Sequence, residues 1–239
     1  AEVAVVTPVA LDHERWLGST LEEIATVKSG IVKDGATVVS AAQRPEVEEV
    51  LRARVERVGA RLLREGVDLD VAARQVAVGG QLLDLRTPAA LYAEVFLPLH
   101  GEHQAHNALL ALAAVEALVT GGAALPAGIV EAGFAGATSP GRLEVLRSSP
   151  TIIVDAAHNP AGAEALVGAL DETFGLTRVV AVVAILADKD AEGFLSVLEP
   201  HVDELVVTEV HSVRATPAEE LGELAEDIFG EEDRKSTRL

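Results

Sequence analysis

The start of the chain alternates short apolar runs with polar stretches of helical character. Residues 3–7 begin with four apolar side chains and predict a strand that ends at Thr7. Thr20 is suited to cap a helix, Glu23 follows it at the capping-box spacing, and Gly30 is expected to end that helix. Residues 36–40, with Val38 and Val39 among them, predict another strand. The order expected here is therefore strand, helix, strand.

The middle of the chain carries a charged helical pattern, a β pattern and an apolar helical pattern. Pro45 opens an amphipathic segment that predicts a helix to about Val58, with its charged residues facing solvent. Residues 61–100 predict short β segments joined by turns that contain glycine or proline. Residues 107–119 have helical spacing and are apolar almost all round, so we expect a buried helix there.

Strand and helix patterns alternate in the second half of the chain. Residues 134–142 are small, glycine-rich and proline-containing, and they predict a linker. The elements expected after it are strand 152–154, helix 161–173, strand 178–185, helix 190–198, strand 204–208 and helix 217–228. Such alternation is typical of an α/β protein with a parallel sheet and right-handed crossovers. We therefore expect one domain over residues 1–137 and a second over residues 138–232.

Composition indicates a folded, acidic protein. Hydrophobic residues make up 49% of the 239 residues, which is enough for a large core. The formal net charge of −19 argues against nucleic acid as a partner, because a phosphate backbone is bound by a basic face. The chain has no Cys and no apolar run long enough to span a bilayer, so we expect a cytoplasmic protein without a membrane partner.

The two ends of the chain look unlike natural termini. Met is absent and the first residues already form a strand-like run, so we expect the natural start to lie upstream. Residues 233–239 are basic, whereas the preceding sequence is acidic and rich in Ala. We expect residues 233–239 to be a non-native tail, and sequencing the source DNA across this junction tests that expectation.

The strongest chemical signal lies in residues 150–160, where an apolar run ends at Asp155 and is soon followed by His158. A buried parallel strand is expected here, and open α/β sheets bind ligands at the carboxyl ends of such strands. Arg142 lies upstream in a Pro-Gly-Arg turn and offers a cation to a phosphorylated ligand. A turn held by Asp and Asn side chains is the simpler alternative.

Lysine is scarce, which draws attention to Lys28 and Lys33. The chain has 15 Arg and four Lys, so a retained lysine suggests a role for a primary amine, such as carbamylation to a carboxylate-like metal ligand. Chance composition explains the same pattern. His13 follows Asp12 in a loop and is suited to bind a divalent metal, although a plain loop histidine is the simpler alternative.

A polar cluster precedes the apolar helix. His103, Gln104, His106 and Asn107 are expected at its N-terminus, where backbone N–H groups favour a phosphate or a polar base. A metal held by the two histidines is disfavoured, since Glu102 is the only acid beside them. Asn107 is equally suited to cap the helix.

The chain contains no G-x-x-x-x-G-K-[ST] loop, no G-x-S-x-G and no H-E-x-x-H. Its short motifs, taken together, resemble the folylpolyglutamate synthase/dihydrofolate synthase family of the Mur-ligase superfamily. The resembling segments are residues 11–13, 16–25 and 28–33, Gln104 with Asn107 and Ala108, residues 140–144, Asp155 with residues 157–160, and residues 188–190. They span most of residues 1–232, and their order and spacing carry the resemblance.

The resemblance implies an ATP-dependent ligase that joins L-glutamate to folate or dihydropteroate through an acyl phosphate. It implies the remainder of a P-loop-type central domain, followed by a Rossmann-like C-terminal ligase domain. His13 would be a magnesium ligand, and Lys28 the carbamylated lysine beside the metal. Asn107, Arg142 and Asp155 would contact ATP.

Further expectations follow from the same resemblance. Lys28, Arg142 and His158 are the expected catalytic residues, and Asp155 with His158 is assigned either to ATP or to the incoming glutamate. The phosphate-binding loop would lie upstream, so residues 1–239 alone are expected to be inactive. Side chains from both sides of the linker are expected to meet one triphosphate and its cation, in a monomeric protein. The alternatives are a Mur-type ligase acting on a UDP-muramoyl acceptor and a non-catalytic nucleotide-binding module.

Overall fold

The computed structural model describes residues 2–11 and 17–230. Its internal contacts divide the chain into two units, Ala1–Ser139 and Pro140–Leu239. The division follows Ser139, whereas the sequence suggested a boundary after residue 137. The expected junction with a non-native tail at residue 233 lies outside the described residues.

A parallel three-stranded sheet forms the first half of the first unit, with its strands side by side in chain order. Its elements are β1 (Val3–Val6), α1 (Leu21–Lys28), β2 (Thr37–Ser40), α2 (Pro45–Arg57) and β3 (Arg61–Arg64). The strands and helices predicted from the apolar pattern in this region are present. Val38 and Val39 of β2 are fully buried, which is typical of a parallel strand covered on both faces.

Side-chain capping determines where α1 begins. Thr20 Oγ1 accepts a hydrogen bond from the Glu23 amide at 3.2 Å, while Glu23 Oε2 accepts one from the Ser19 amide at 2.8 Å. The prediction for the other end was wrong, because α1 ends at Lys28 and Gly30 lies inside a following 3₁₀ turn, Ser29–Ile31. Gly30 does not adopt the left-handed conformation that makes glycine a helix terminator.

An antiparallel sheet and two helices complete the first unit. These elements are β4 (Asp70–Ala77), β5 (Gly80–Arg86), β6 (Leu91–Leu97), α3 (Glu102–Val119) and α4 (Ala127–Ala135). Helix α3 begins at Glu102 rather than at the expected residue 107, and α4 extends into the segment expected to be a linker. Leu109 and Leu110 of α3 pack in one core cluster with Leu83 and Leu85 of β5. The prediction of a helix is therefore confirmed, but its start was wrong and its burial holds for one face only, since Leu118 and Val119 are 58% and 67% exposed.

The second unit combines a hairpin, a parallel strand pair and three helices. Its elements are β7 (Glu144–Ser148), β8 (Thr151–Val154), α5 (Pro160–Thr173), β9 (Val180–Val183), α6 (Ala191–Leu198), β10 (Glu204–Val207) and α7 (Ala218–Phe229). Strands β9 and β10 pair in parallel across α6, as the alternating pattern predicted. Ala163, Leu195 and Leu221, one from each helix, are fully buried in the core of this unit.

The prediction of a buried parallel strand at residues 152–154 was wrong. Strand β8 instead forms an antiparallel hairpin with β7, a strand that the sequence pattern did not predict. Ile152 and Val154 are 42% and 40% exposed. A short apolar run has the same appearance whether its strand pairs in parallel or antiparallel, because its pairing partner is not encoded locally.

No helix in residues 2–11 and 17–230 is both long and apolar enough to cross a membrane.

Candidate functional site

Asp155 follows β8 directly and fixes the main chain in two places. Its Oδ2 accepts a hydrogen bond from the Leu143 amide at 2.8 Å, and its Oδ1 accepts one from the Ala157 amide at 2.7 Å. The first bond reaches the residue after Arg142, so the structure brings the Asp155 carboxylate to the Pro-Gly-Arg turn. Each carboxylate oxygen has a second lone pair, so these bonds leave capacity for a ligand.

The residues after Asp155 form the start of α5. Asn159 is the N-cap residue, and its Oδ1 accepts from the Gly162 amide at 2.8 Å. His158 is exposed, and its Nδ1 lies 3.0 Å from the Ala156 carbonyl oxygen. The simpler alternative of a turn held by Asp and Asn side chains therefore describes the contacts seen here. A ligand-binding role for Asp155 and His158 stays a prediction.

The polar cluster on α3 lies within the helix and not before it. Asn107 is exposed in the second turn, and its Nδ2 donates to Gln104 Oε1 at 3.4 Å. Asn107 is not the capping residue, because α3 begins earlier and Gly101 occupies the N-cap position. Its amide group is therefore open to solvent on one side, and contact with a nucleotide stays a prediction.

Gln81 was missed by the sequence reasoning, and it orders the start of α3. Its side chain is 1% exposed, and its Nε2 donates to the carbonyl oxygens of Leu99 at 2.9 Å and Gly101 at 3.1 Å. These bonds connect β5 to the segment that enters α3. An amide side chain directly before the apolar pair Leu82-Leu83 was the available signal, since a buried polar group needs partners.

Glu65 follows β3 and was also missed. Its side chain is 9% exposed, its Oε1 contacts His106 Nδ1, and its Oε2 accepts from the Ala42 amide at 3.0 Å. His106 Nε2 lies 3.8 Å from Glu102 Oε1. One histidine of the polar cluster, His106, therefore pairs with carboxylates, and the carboxyl ends of β2 and β3 are linked to α3.

The Glu65–His106 contact shifts both titrations. The hydrogen bond to Glu65 raises the pKa of His106, burial opposes that rise, and the charges of Glu65 and Glu102 add to it. Burial alone would raise the pKa of Glu65, but hydrogen bonds from His106 and the Ala42 amide, with the His106 charge, hold that pKa below its ordinary value. Both shifts favour the charged pair.

A small pocket of about 100 Å³, open to solvent, lies at the carboxyl ends of the parallel strands, and Ser40, Gln43 and Glu65 help to line it. Gln43 connects β1 to β2, because its Nε2 donates to the Thr7 carbonyl and its Oε1 accepts from the Val9 amide, both at 3.0 Å. The pocket is smaller than the roughly 300 Å³ at which pockets for drug-sized ligands begin.

Of the two expected metal-binding residues, the structure describes Lys28. Lys28 is half-buried at the end of α1, where a cation also interacts favourably with the helix dipole. Lys33 Nζ donates to the Gly30 carbonyl at 2.7 Å. His13 lies outside the described residues. Within the described part of the chain there is no group of three or more His, Asp or Glu side chains that could hold a metal ion.

The Asp-Lys-Asp segment has structural contacts at both acids. Asp188 Oδ2 lies 2.6 Å from Arg214 Nη2 in an exposed ion pair, and hydrogen bonds from Arg214 lower the pKa of Asp188. Asp190 caps α6, because its Oδ1 accepts from the Gly193 amide at 2.9 Å.

Comparison with known proteins gives a consistent result over the whole chain. Residues 141–237 match the Mur ligase, glutamate ligase domain. The chain is 48% identical to the dihydrofolate synthase/folylpolyglutamate synthase of Mycobacterium tuberculosis over 96% of its own length and 49% of the relative. It is 33% identical to the Escherichia coli protein of the same name, over 92% of the chain and 49% of that relative. The chain thus spans about half the length of the curated relatives it matches.

Solved structures of the same family share its fold. M. tuberculosis folylpolyglutamate synthase, complexed with ADP and AMPPCP, gives a TM-score of 0.95 at 46% identity, covering 100% of this chain and 54% of that one. E. coli FolC, in complex with DHPP and ADP, gives 0.83 at 32% identity, covering 100% and 53%. The mixed α/β architecture is thus shared with these relatives. The chain belongs to the folylpolyglutamate synthase/dihydrofolate synthase family of Mur-type ligases.

Proposed function

We propose that the complete protein uses ATP to join L-glutamate to a folate or to dihydropteroate. The observation that carries this proposal is the 48% identity with the M. tuberculosis dihydrofolate synthase/folylpolyglutamate synthase over 96% of the chain. That match covers 96% of the chain and therefore reaches both units. The ADP, AMPPCP and DHPP bound to relatives support the same substrate classes.

The proposed reaction has two steps. The γ-phosphoryl group of ATP passes to the substrate carboxylate, which forms an acyl phosphate and releases ADP. The amine of glutamate then attacks the acyl carbon, loses a proton and expels inorganic phosphate, which leaves an amide bond. Attack by water would hydrolyse the acyl phosphate back to the carboxylate and phosphate, so this chemistry requires that water be excluded from the intermediate.

Three residues are proposed to contact ATP. Arg142 presents an exposed guanidinium, which suits it to stabilise the charge on the phosphoryl group during transfer. Asp155 is suited to accept a hydrogen bond from a hydroxyl or an ammonium group. Asn107 offers an exposed amide to a polar base or phosphate. His158 follows on the exposed loop and is proposed to act on ATP or on the incoming glutamate.

Magnesium is proposed as the accompanying cation, with His13 and a carbamylated Lys28 as its ligands. The described residues do not by themselves supply a metal site, so this assignment rests on the resemblance. The ion would offset phosphate charge when bound. We also propose a monomeric, cytoplasmic enzyme.

Glutamate incorporation tests the proposed function. The complete protein is incubated with ATP, magnesium chloride and labelled glutamate, with dihydropteroate, tetrahydrofolate or a UDP-muramoyl acceptor in parallel. Labelled product is expected with one or both pterin acceptors and not with the UDP-muramoyl compound. Turnover only with the UDP-muramoyl acceptor contradicts the proposal, and so does nucleotide binding without any product. Trapping with hydroxylamine reports the acyl phosphate, and residues 1–239 alone are expected to give no product.

A further inference from the structure

Two carboxylates hold the main chain on the two sides of Arg142. Glu144 Oε2 accepts a hydrogen bond from the Gly141 amide at 2.7 Å, and Asp155 Oδ2 accepts one from the Leu143 amide at 2.8 Å. The residue before the arginine and the residue after it are therefore each fixed by a charge-assisted hydrogen bond. We call this arrangement, Glu144 and Asp155 with the Gly141 and Leu143 amides, the carboxylate clamp.

The backbone inside the clamp has an uncommon conformation. Gly141 has a φ of 70° and Leu143 a φ of 47°. A positive φ is ordinary for glycine but sterically unfavourable for leucine, so neighbouring contacts must hold it in place. The hydrogen bond to Asp155 and the burial of the Leu143 side chain, which is 2% exposed, provide those contacts. Strain of this kind is found most often at functional positions.

The guanidinium of Arg142 is left available by the same arrangement. It is exposed and has no hydrogen-bond or ion-pair partner among residues 2–11 and 17–230. The carboxylates of Glu144 and Asp155 accept hydrogen bonds from the backbone amides on either side of Arg142. The main chain is thus fixed while the cation remains free to meet an anion.

We propose that Glu144 is a positioning residue that orients Arg142 toward a phosphate of ATP. The inference rests on the proposed function, in which Arg142 meets that phosphate. Glu144 acts only through the Gly141 amide and does not touch the nucleotide. Fixing the backbone reduces the freedom that a long side chain must lose on binding, and small misplacements of such a group slow a reaction strongly.

Amide hydrogen exchange tests the clamp without reference to activity. In the complete protein, Glu144→Ala is expected to speed exchange in the segment 140–144, since the Gly141 amide loses its acceptor. Glu144→Gln keeps an acceptor oxygen and is expected to exchange nearly as the wild type does. Glu164→Ala, which removes an exposed carboxylate on α5, is the matched control. Unchanged exchange in Glu144→Ala overturns the clamp.

Ligation kinetics test the positioning role. Glu144→Ala is expected to lower kcat/KM for ATP by about tenfold, and Glu144→Gln to restore most of it. Arg142→Ala is expected to lower it further, by about 100-fold. Combining Glu144→Ala with Arg142→Ala is expected to add no further loss, because the carboxylate acts through the arginine. Losses that multiply, or a fall in Tm without a kinetic effect, overturn the positioning role.

Failure of the proposed function gives a different pattern. If the complete protein ligates no glutamate, binding of AMPPCP by calorimetry replaces the kinetic assay. Parallel weakening by Glu144→Ala and Arg142→Ala, with recovery in Glu144→Gln, then supports the positioning role on its own. Equal binding by all variants overturns it.

Discussion

The two units support their candidate residues in different ways. In the first unit, α3 carries Asn107 on a helix whose inner face includes the fully buried Leu109. In the second unit, Arg142 and Asp155 lie on loops beside β8, whose Ile152 is 42% exposed. Core packing of its helix therefore holds Asn107 in place, whereas hydrogen bonds between carboxylates and backbone amides hold the segments that carry Arg142 and Asp155. The difference teaches that local order around a functional residue does not require a buried strand beneath it.

Truncation of buried and exposed side chains should give the largest contrast between the units. Leu109→Ala is expected to lower the free energy of unfolding by about 2–5 kcal/mol, because it empties space in a close-packed core. Ile152→Ala, at an exposed position of β8, is expected to lower it by less than about 1 kcal/mol. Urea denaturation followed by circular dichroism measures both. Equal losses would contradict the contrast.

Loss of a buried polar contact in the first unit should lower stability more than loss of an exposed ion pair in the second, with a smaller difference than for the apolar side chains. Tyr92 donates to Glu116 Oε1 at 2.6 Å and accepts from the Leu125 amide at 2.7 Å, in a buried part of the first unit. Tyr92→Phe is expected to lower the free energy of unfolding by about 1–3 kcal/mol, since it leaves buried groups without partners. Arg214→Ala breaks the exposed ion pair with Asp188 and is expected to leave stability unchanged within error in the same denaturation experiment.

Glycine substitutions should separate helix from loop inside the second unit. Gly168 lies in the middle of α5 with open space around it, so Gly168→Ala is expected to raise stability by about 0.5–1 kcal/mol. Gly141 also has open space, but its φ of 70° makes Gly141→Ala unfavourable by about 1 kcal/mol. The difference in Tm between the two variants checks this. A stabilised Gly141→Ala would argue against the strained turn.

The Glu65–His106 pair should give the smallest effect, and it depends on pH. The pKa of His106 is raised above 6.5, so its contribution is complete below that value and is lost as pH rises through the folded-state pKa. The pKa of Glu65 is lowered below 4.5, so its contribution is complete above that value and is lost as pH falls through the folded-state pKa. The pair therefore stabilises most between those two values.

Glu65→Gln measures this contribution. The substitution is expected to reduce stability near pH 5.5 by at most about 1 kcal/mol, because the His106 side chain is 41% exposed and solvent screens the pair. Above the raised pKa of His106 the loss should shrink. His211→Gln, at an exposed histidine of the second unit, is the control, and urea denaturation across this pH range compares the two variants. A loss that grows with rising pH would contradict the assigned directions.

The sequence predicted elements better than it predicted their partners. The apolar run at residues 152–154 gave the strand but not its antiparallel pairing with β7, because alternation shows which residues are apolar and not what covers them. The helical pattern at residues 107–119 gave α3 but not its first turn. That turn carries polar residues, so the apolar periodicity could not extend to it.

The candidate site shows the same limit. Asp155 could be found because an acid directly after a strand is a local signal, and the structure brings its carboxylate to the Pro-Gly-Arg turn. Glu65 could not be found, since its partner His106 lies 41 positions away in the chain. Contacts at that separation depend on the fold, which a single sequence does not display.

The two hydrogen bonds of the Asp155 side chain also determine what could be transplanted. One reaches the Leu143 amide and the other the Ala157 amide, so one carboxylate joins two segments that are separate in the chain. If residues 140–144 were transferred alone into another scaffold, the Leu143 amide would lack its acceptor, the Asp155 carboxylate. Any graft or chimera therefore has to carry the whole stretch 140–157, so that the hairpin and the residues that follow it stay together.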